Sequence, residues 1–439
     1  MKEKNIFKVS IPIFIELVFL TLYGTVDTIM LSRYSDTAAG SVGVANQLFM
    51  LFAILINVIA LGIGAVASQY VGANQIQKAK DTIKTGLYAS IMIGVVLFLL
   101  LFIFRTSILQ IVGIDEALYD DAYIYLRWVS VSIIFLAIRV VLSTGFRVFS
   151  KSGLVTKIMI VGNVINIGLN AILIYGYFGL PSLGSEGAGL GTLIARFIVI
   201  TIFIYLSYNV LEMRVFKIAF DTKALKKMMR VGLPGALENF TWNVTQVIVL
   251  MFINQISVTA VVTRTYVYTI LSYVFIYSLS LSAANGIISG YYIGEKKPDH
   301  AYKQTFHTLK IALIGTWLLV LVVNVFSRQI IGLFSQDETI ISLGQSVLWI
   351  AFIIETGRTL NLLFLASLRA AGDTMIPLLM AVIIMFGIHV PLSYLFGIHL
   401  GFGLFGIMIA ASMDELFRGI ANALRYISKR WMKQSLIHD

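Results

Sequence analysis

Side chains that could bind a small cation interrupt long apolar segments of this sequence. Asp27 is an acid in the outer half of the first apolar run. Asn166 and Asn170 lie in a later run, where their four-residue spacing places both amides on one helix face, and Thr192 lies near the start of the next run. A carboxylate, two amide oxygens and a hydroxyl are hard oxygen ligands that suit a sodium ion, and a carboxyl group can instead bind and release a proton. The sequence therefore predicts a cation-binding site at these residues, unless they form a hydrogen-bonded cluster that only joins helices.

A second group of charged residues lies inside apolar segments of the C-terminal half. Glu355 and Arg358 are three residues apart and Asp414 and Arg418 four, so that each pair can close within one helix. Once these two pairs are assigned, Glu238 and Glu415 remain as unpaired acids. The group is predicted to be either a set of structural ion pairs or a network with net negative charge that binds a substrate or a proton. Its members are Glu238, Glu355, Arg358, Asp414, Glu415 and Arg418.

The apolar segments that carry these residues are long enough to cross a membrane. Hydrophobic residues make up 58% of the 439-residue chain and charged residues 13%, whereas a soluble domain has about 25% charged residues. A spanning helix needs about 20 mostly apolar residues, and we predict an all-α polytopic membrane protein with twelve such helices in a lipid bilayer. The predicted helices cover residues 9–31, 44–70, 86–104, 122–146, 158–178, 187–210, 231–253, 265–292, 311–326, 344–366, 376–397 and 404–424.

The distribution of positive charge sets the expected orientation. With the N-terminus inside, most of the 33 Lys and Arg residues fall on the inner side, as the positive-inside rule requires. We therefore expect a multi-pass protein of a bacterial cytoplasmic membrane with both termini in the cytoplasm. The basic segment 211–230 is predicted to be a cytoplasmic linker near acidic lipid headgroups, and no nucleic-acid partner is expected.

Several classes of protein are excluded by the composition of the sequence. No GxxxxGK[ST] motif is present to bind ATP. Cysteine is absent, which removes disulfides and thiolate metal sites, and the five histidines are scattered without metal-ligand spacing. Because no nucleophile and base are clustered, we do not expect an enzyme, and we expect no cofactor. No charge ring or filter loop indicates a channel.

An internal repeat relates the two halves of the sequence. Pro12 and Glu16 recur as Pro234 and Glu238, 222 positions later. Towards the end of the repeat the second copy is three residues shorter, and the offset becomes 219. Further pairs are Tyr70 with Tyr292, Gly72 with Gly294, Asp115 with Asp337, Arg147 with Arg369, Gly184 with Gly403 and Gly187 with Gly406.

The repeat predicts a two-lobed architecture. Each copy contains an even number of helices, so that both copies enter the membrane in the same orientation and are related by an axis along the membrane normal. We predict a six-helix N-terminal lobe at 1–210 and a six-helix C-terminal lobe at 231–439. Two such lobes with a ligand site near the midplane are the common design of secondary transporters.

Four segments have an order and a spacing that, taken together, are specific. They are Pro12–Asp27 followed by Thr28-Ile-Met, Ser68-Gln69 with Gly72-Ala73, Asn166-Ile-Gly-Leu-Asn170 continuing through Pro181 to Thr192, and Ser367-Leu-Arg369-Ala-Ala-Gly372-Asp373-Thr374. In this order they resemble the multidrug and toxic compound extrusion (MATE) transporters over nearly the whole chain.

The resemblance implies a function and a site. Members of the family alternate between outward-open and inward-open states and export amphipathic, often cationic drugs in exchange for sodium ions or protons. By matching positions, the cation site of the first lobe falls on Asp27, Asn166, Asn170 and Thr192. We therefore expect a multidrug efflux antiporter, coupled to H+ or Na+, that confers drug resistance and has no obligatory protein partner. The alternative is a flippase for lipid-linked oligosaccharide or another amphipathic lipid-linked substrate, which a basic cavity and extra helices would favour.

The second lobe departs from the pattern of the sodium-coupled branch of that family. The branch has an acid on helix 7 where this chain has Trp242, and an acid on helix 10 where this chain has Arg358. Glu238 and Glu355 lie close to these two positions in the sequence. The sequence leaves the coupling ion and the substrate range open.

Overall fold

The computed structural model describes residues 2–217 and 220–437. Met1, Ile218, Ala219, His438 and Asp439 lie outside the described residues, which removes two positions of the predicted linker and the ends of both predicted lobes. Helices account for nearly all of the described chain, and no strand occurs in it. The helices are α1 (Ile6–Tyr34), α2 (Asp36–Gly72), α3 (Ile76–Ile103), α4 (Arg105–Val112), α5 (Glu116–Val148), α6 (Ser152–Tyr175), α7 (Gly184–Asn209), α8 (Thr222–Ile256), α9 (Val258–Gly294), α10 (Pro298–Val325), α11 (Ser327–Gly332), α12 (Glu338–Leu348), α13 (Ala351–Ala371), α14 (Met375–His399) and α15 (Gly403–Ile427).

The lengths and compositions of these helices confirm the predicted class of fold. Within the described ranges, eleven helices are long and apolar enough to cross a membrane. The predicted twelfth span corresponds to α15, a 25-residue helix that also carries Asp414, Glu415, Arg418 and Arg425, which lower its hydropathy. The tenth predicted span is interrupted after Leu348, so that α12 and α13 together replace one continuous helix. The chain is therefore a multi-span α-helical membrane protein.

The ends of the helices follow the internal repeat. α2 and α9 begin at residues 36 and 258 and end at residues 72 and 294, an offset of 222 at both ends. Equivalent serines cap both helices: the Ser35 side chain accepts a hydrogen bond from the Ala38 amide, and that of Ser257 from the Ala260 amide. Because an N-cap oxygen satisfies an amide that the helix leaves free, the same residue type starts the same helix in both copies.

A buried ion pair is also repeated. In the first copy Arg147 Nη2 lies 2.6 Å from Glu16 Oε2, and in the second Arg369 Nη2 lies 2.9 Å from Glu238 Oε2. Both glutamates are buried. The prediction that Glu238 is unpaired is therefore wrong, because its partner is 131 residues away in the sequence and is brought to it only by the packing of the helices.

The internal contacts of the described chain divide it into two compact units. The first unit contains Ile15–Gly232, and the second contains Lys4–Phe14 together with the chain from Leu233 onward. The core of the first unit contains Leu31, Phe49, Leu126, Ile133 and Ile174. Among the described residues, the core of the second unit contains two clusters, one with Val249, Val267 and Val347, the other with Leu363, Phe364, Tyr426 and Trp431.

The first unit extends past the predicted lobe boundary at residue 210. α8 begins at Thr222, inside the segment predicted to be a linker, and its first turns pack on α2. A Cβ atom placed on Gly232 would lie 1.9 Å from the Val58 carbonyl oxygen, and one placed on Gly62 would lie 2.4 Å from the Met228 carbonyl oxygen. Glycine at both positions therefore permits a backbone approach that any side chain would prevent.

We predict that the repeated ion pair stabilises both units. Replacement of Arg147 or Arg369 by Met leaves a buried carboxylate unpaired and should lower the free energy of unfolding by about 3–5 kcal/mol. Unfolding by sodium dodecyl sulfate in detergent micelles, followed by tryptophan fluorescence, measures the loss. The control is Arg328→Met, since Arg328 and Glu338 form an exposed pair with 60% and 63% side-chain exposure and should contribute less than about 1 kcal/mol. Equal losses in the buried and exposed variants would contradict the prediction.

Candidate functional site

Three of the four residues predicted to bind a cation are joined by hydrogen bonds in the first unit. Asn170 Nδ2 donates to Asp27 Oδ1 at 2.9 Å and to Asn166 Oδ1 at 3.0 Å. The Tyr23 hydroxyl donates to the same Asn166 oxygen at 2.7 Å. Both asparagines are buried, whereas Asp27 is half-buried. Helices α1 and α6 therefore hold one carboxylate in a polar cluster within the apolar interior.

Thr192 lies beside this cluster without a hydrogen bond to its other three members. It follows Gly191 on α7, and a Cβ atom placed on Gly191 would lie 2.1 Å from Asn170 Oδ1. That amide oxygen is buried and has no hydrogen-bond partner. The glycine thus makes room for the oxygen, and Asn170 Oδ1 is the one amide oxygen of the cluster with unused hydrogen-bonding capacity, because Asn166 Oδ1 already accepts two bonds.

Basic and aromatic groups surround the cluster. Arg196 lies within electrostatic range of Asp27, Tyr23 and Tyr125. Its Nη1 donates to Ser132 Oγ at 2.5 Å, and its guanidinium lies 4.7 Å from the centre of the Phe49 ring. No carboxylate lies within 4 Å of Arg196 in the described chain. Asp27 is accordingly held by an amide and is not part of a close ion pair.

The charged residues of the second unit form a continuous network between α13 and α15. Arg358 Nη1 donates to Glu355 Oε1, and Arg358 Nε donates to Glu415 Oε1 at 3.2 Å. Arg418 donates to both oxygens of Asp414, at 2.9 and 2.7 Å, and lies 3.1 Å from Glu415 Oε2. Glu415 therefore bridges the two arginines.

This network corrects one prediction and confirms two others. The close pairing of Arg358 with Glu355 and of Arg418 with Asp414 agrees with the spacing of these residues in the sequence. The prediction that Glu415 is unpaired is wrong, because α13 packs against α15 and brings Arg358 to it. Glu238 is not part of the close network, since it pairs with Arg369.

The network contains three carboxylates and two guanidinium groups, so it has one excess negative charge when the adjacent His389 is neutral. Three polar atoms around it are buried and have no hydrogen-bond partner: Glu355 Oε2 and both ring nitrogens of His389. His389 Nδ1 lies 3.5 Å from Asp414 Oδ2. A buried network of this kind can accept one further positive charge.

Sequence reasoning missed some of the residues that complete these clusters. Tyr23 lies four residues before Asp27 on the same helix face, a spacing that could have revealed it. Asn361 donates to Glu415 Oε2 at 3.5 Å and accepts from Asn422 Nδ2 at 2.8 Å, and it lies three residues after Arg358. His389 gave no signal in the sequence, because it is brought to Asp414 by the packing of α14 on α15.

The donor atoms limit what each cluster can bind. No three His, Cys, Asp or Glu side chains in the described part of the chain are arranged to hold a metal ion. The first-unit cluster offers one carboxylate together with neutral oxygens, which suits a single monovalent cation or a proton. These features, on an all-helical fold with a duplicated six-helix arrangement, are those of a membrane transporter.

Comparison with known proteins agrees with this class. The sequence model of the MatE family matches residues 12–172 and 234–395, one match in each copy of the repeat. The uncharacterized transporter YisQ of Bacillus subtilis (strain 168) is 34% identical over 99% of this chain and 96% of that protein. The probable multidrug resistance protein NorM of Thermotoga maritima is 24% identical over 99% of this chain and 94% of that protein. A solved outward-facing structure of a multidrug resistance MATE family transporter shares the fold, with a TM-score of 0.87 and 19% identity over 99% of this chain and 100% of the other.

The chain therefore belongs to the MATE family of membrane transporters. The resemblance predicted from the sequence motifs is confirmed, and the similar proteins include several from bacteria.

We predict that Gly191 is required for the arrangement of the first-unit cluster. In Gly191→Ala the new methyl group displaces the Asn170 amide, which should lower the free energy of unfolding by about 1–3 kcal/mol. In an Asn170→Ala background the same change should cost much less, and a double-mutant cycle of detergent unfolding measures the difference. The matched control is Gly168→Ala on α6, where a Cβ would meet nothing within 4 Å. A loss of stability that is the same with and without the Asn170 amide would refute the steric explanation.

Proposed function

We propose that the protein is a secondary active exporter that exchanges a proton or a sodium ion for amphipathic drugs by alternating access. The observation that carries the proposal is the cluster of Asp27, Asn166 and Asn170 in the first unit, with Thr192 beside it. A half-buried carboxylate without a close ion pair gains most from a small cation, because no positive side chain among the described residues lies at ion-pair distance from it. No ATP-binding motif occurs in the sequence, so the ion gradient supplies the energy.

The directions of the hydrogen bonds favour a proton as the coupling ion. Asn170 presents an N–H group to Asp27, and both acceptor positions of the Asn166 oxygen are occupied. A proton can bind Asp27 Oδ2, the oxygen that does not accept from Asn170, without rearrangement of the two amides. A sodium ion needs oxygen ligands, so the Asn170 amide would have to turn its oxygen towards the ion. Asp27, Asn166, Asn170 and Thr192 would be metal ligands only in that case.

The network of the second unit supports a cationic substrate or a second proton. With one excess negative charge and an unpartnered oxygen on Glu355, it can stabilise a positive group on a bound drug. The proposed substrates are therefore amphipathic molecules with a cationic group. The proposed setting is the bacterial inner membrane, with both chain termini in the cytoplasm. There the protein carries these substrates across the lipid bilayer and out of the cell.

The energy available limits the exchange. A tenfold ion gradient supplies about 1.4 kcal/mol, and the membrane potential supplies about 2.3 kcal/mol per charge per 100 mV. In a one-for-one exchange of a proton or sodium ion for a monovalent cationic drug, no net charge moves, so that only the ion gradient drives export.

We predict that Asp27→Asn abolishes ion-driven export, because the amide cannot bind a proton and attracts a sodium ion far less than a carboxylate does. Purified protein in liposomes is given a pH gradient or a sodium gradient separately, and the movement of ethidium is followed by fluorescence. Wild type should respond to one gradient, which identifies the ion, and the mutant to neither. Asp36→Asn, a change of an exposed acid in the same unit, is the control and should transport like wild type.

Efflux that ignores both gradients in folded wild-type protein would overturn the antiport proposal. The flippase function would then be the next to test, with a fluorescent lipid-linked oligosaccharide in the same liposomes. If Asp27→Asn still exported ethidium in response to the ion gradient, the antiport proposal would stand. The coupling ion would then bind somewhere other than the first-unit cluster.

We predict that Glu355→Gln weakens binding of a cationic drug by about tenfold, since it removes the excess charge of the second-unit network while the amide oxygen can still accept from Arg358. Equilibrium binding of ethidium to the detergent-solubilised protein, followed by fluorescence anisotropy, measures the change. Asp299→Asn, at an exposed acid of the same unit, is the control. Unchanged binding in Glu355→Gln would show that the network only holds α13 and α15 together.

A further inference from the structure

Two half-buried arginines within the membrane-spanning helices of the first unit, Arg139 and Arg196, have no carboxylate within 4 Å among the described residues. Arg139 on α5 donates through Nη1 to Met159 Sδ at 3.6 Å, a weak hydrogen bond, and has no other hydrogen-bond partner in the described chain. Arg196 on α7 donates to Ser132 Oγ, again on α5. Both side chains are half-buried. Charged groups inside membrane-spanning helices are expected to face a partner or a ligand, and the antiport proposal uses neither arginine.

The internal repeat gives the expected position of one arginine relative to the other. By the offsets of 222 and 219 residues, Arg139 is equivalent to Asn361 and Arg196 to Glu415. In the second unit Asn361 and Glu415 are hydrogen-bonded across α13 and α15 at 3.5 Å. The first unit places its two arginines across the equivalent helices α5 and α7, and the two guanidinium groups lie within electrostatic range of each other.

The charges around the pair do not neutralise it. Glu16, which is also within electrostatic range of Arg139, already pairs with Arg147. Asp27 lies within range of Arg196, together with the neutral Tyr23 and Tyr125. The buried groups of this region are thus two unpaired guanidinium groups and one carboxylate, which leaves one positive charge in excess. The equivalent place in the second unit carries an excess of negative charge.

We propose that Arg139 and Arg196 form an anion subsite in the first unit, which binds the carboxylate or phosphate group of an amphipathic molecule. Guanidinium groups match the geometry of these anions through parallel N–H donors. Arg139 is free to turn towards a ligand, because its only contact of this kind is the thioether of Met159. The assignment of this ligand as an exported molecule rests on the proposed function, whereas its binding does not.

A pair of fluorescent dyes that differ in one group tests the subsite. Rhodamine B has a free carboxylate and a cationic ring system, and its ethyl ester keeps the ring system without the acid. Binding of each dye to the detergent-solubilised protein is measured by anisotropy without any ion gradient. Wild type should bind rhodamine B more tightly than the ester. Arg139→Gln and Arg196→Gln should each lower the affinity for rhodamine B by about tenfold, while the affinity for the ester changes by less than about twofold.

The controls separate the subsite from a general effect of charge or folding. Arg127 is an exposed arginine on the same helix as Arg139, stacked on Trp128, and Arg127→Gln should leave both dyes unaffected. Binding of the ester reports whether the glutamine variants are folded. If the glutamine variants no longer bind the ester, the test moves to Arg139→Lys and Arg196→Lys. These variants keep the positive charge and should still bind rhodamine B more tightly than its ester.

Two outcomes would overturn the proposal. Equal affinity of wild type for the dye and its ester would remove the anion subsite and leave Arg196 as a distant counter-charge of Asp27. A preference for rhodamine B that survives in both glutamine variants would place the anion elsewhere.

In a second arm, phosphatidic acid competes with bound rhodamine B: displacement by this lipid, and not by uncharged diacylglycerol, would identify a lipid phosphate as a ligand of the same subsite. Failure of gradient-driven efflux, by contrast, would affect only the antiport proposal.

Discussion

The free energy required to place a charged side chain in an apolar membrane interior, on the order of 2.5–3.5 kcal/mol on insertion scales, constrains the rest of this structure. Of the six acids that lie inside predicted spans, five are in ion pairs: Glu16, Glu238, Glu355, Asp414 and Glu415. Asp27 alone is held by an amide instead of a cation. Each of these five acids has an arginine partner within its own unit, although Glu355, Asp414 and Glu415 share only two arginines and keep one excess negative charge. Asp27 is the acid that has no arginine at ion-pair distance in the described chain.

The two copies of the repeat separate structural from functional positions. The cap serines, the bounds of α2 and α9 and the Glu–Arg pair are the same in both copies, which indicates that they serve the shared scaffold. At the offset of 222 residues, Asp27 is equivalent to Val249, a buried core residue. Arg196 is equivalent to Glu415, with the opposite charge. The copies therefore keep these elements of their packing and differ in the charged residues at the two other positions.

Much of this architecture follows from patterns that the sequence displays directly. Apolar runs predicted the spans, and the register of Pro12 with Pro234 predicted the repeat that the helix ends then follow. Partners far apart in the sequence were beyond prediction, because no local spacing links Glu238 to Arg369 or His389 to Asp414. The extension of α8 back to Thr222 was also missed, since its basic first turns have the composition of a solvated linker.

In the proposed exchange a coupling ion changes the packing of the first unit, and we infer that this change begins at the hydrogen bond from Asn170 to Asp27. A hydrogen bond to a charged group contributes about 1.5–3 kcal/mol and a neutral one about 0.5–1.5 kcal/mol, so protonation of Asp27 weakens the contact between α1 and α6 by roughly 1 kcal/mol. A tenfold ion gradient supplies more free energy than this, about 1.4 kcal/mol. The attraction between Asp27 and Arg196 disappears in the same step. In the proposed exchange both changes weaken the contacts of α1 with α6 and α7, and together they contribute to the difference in affinity that a conformational change requires.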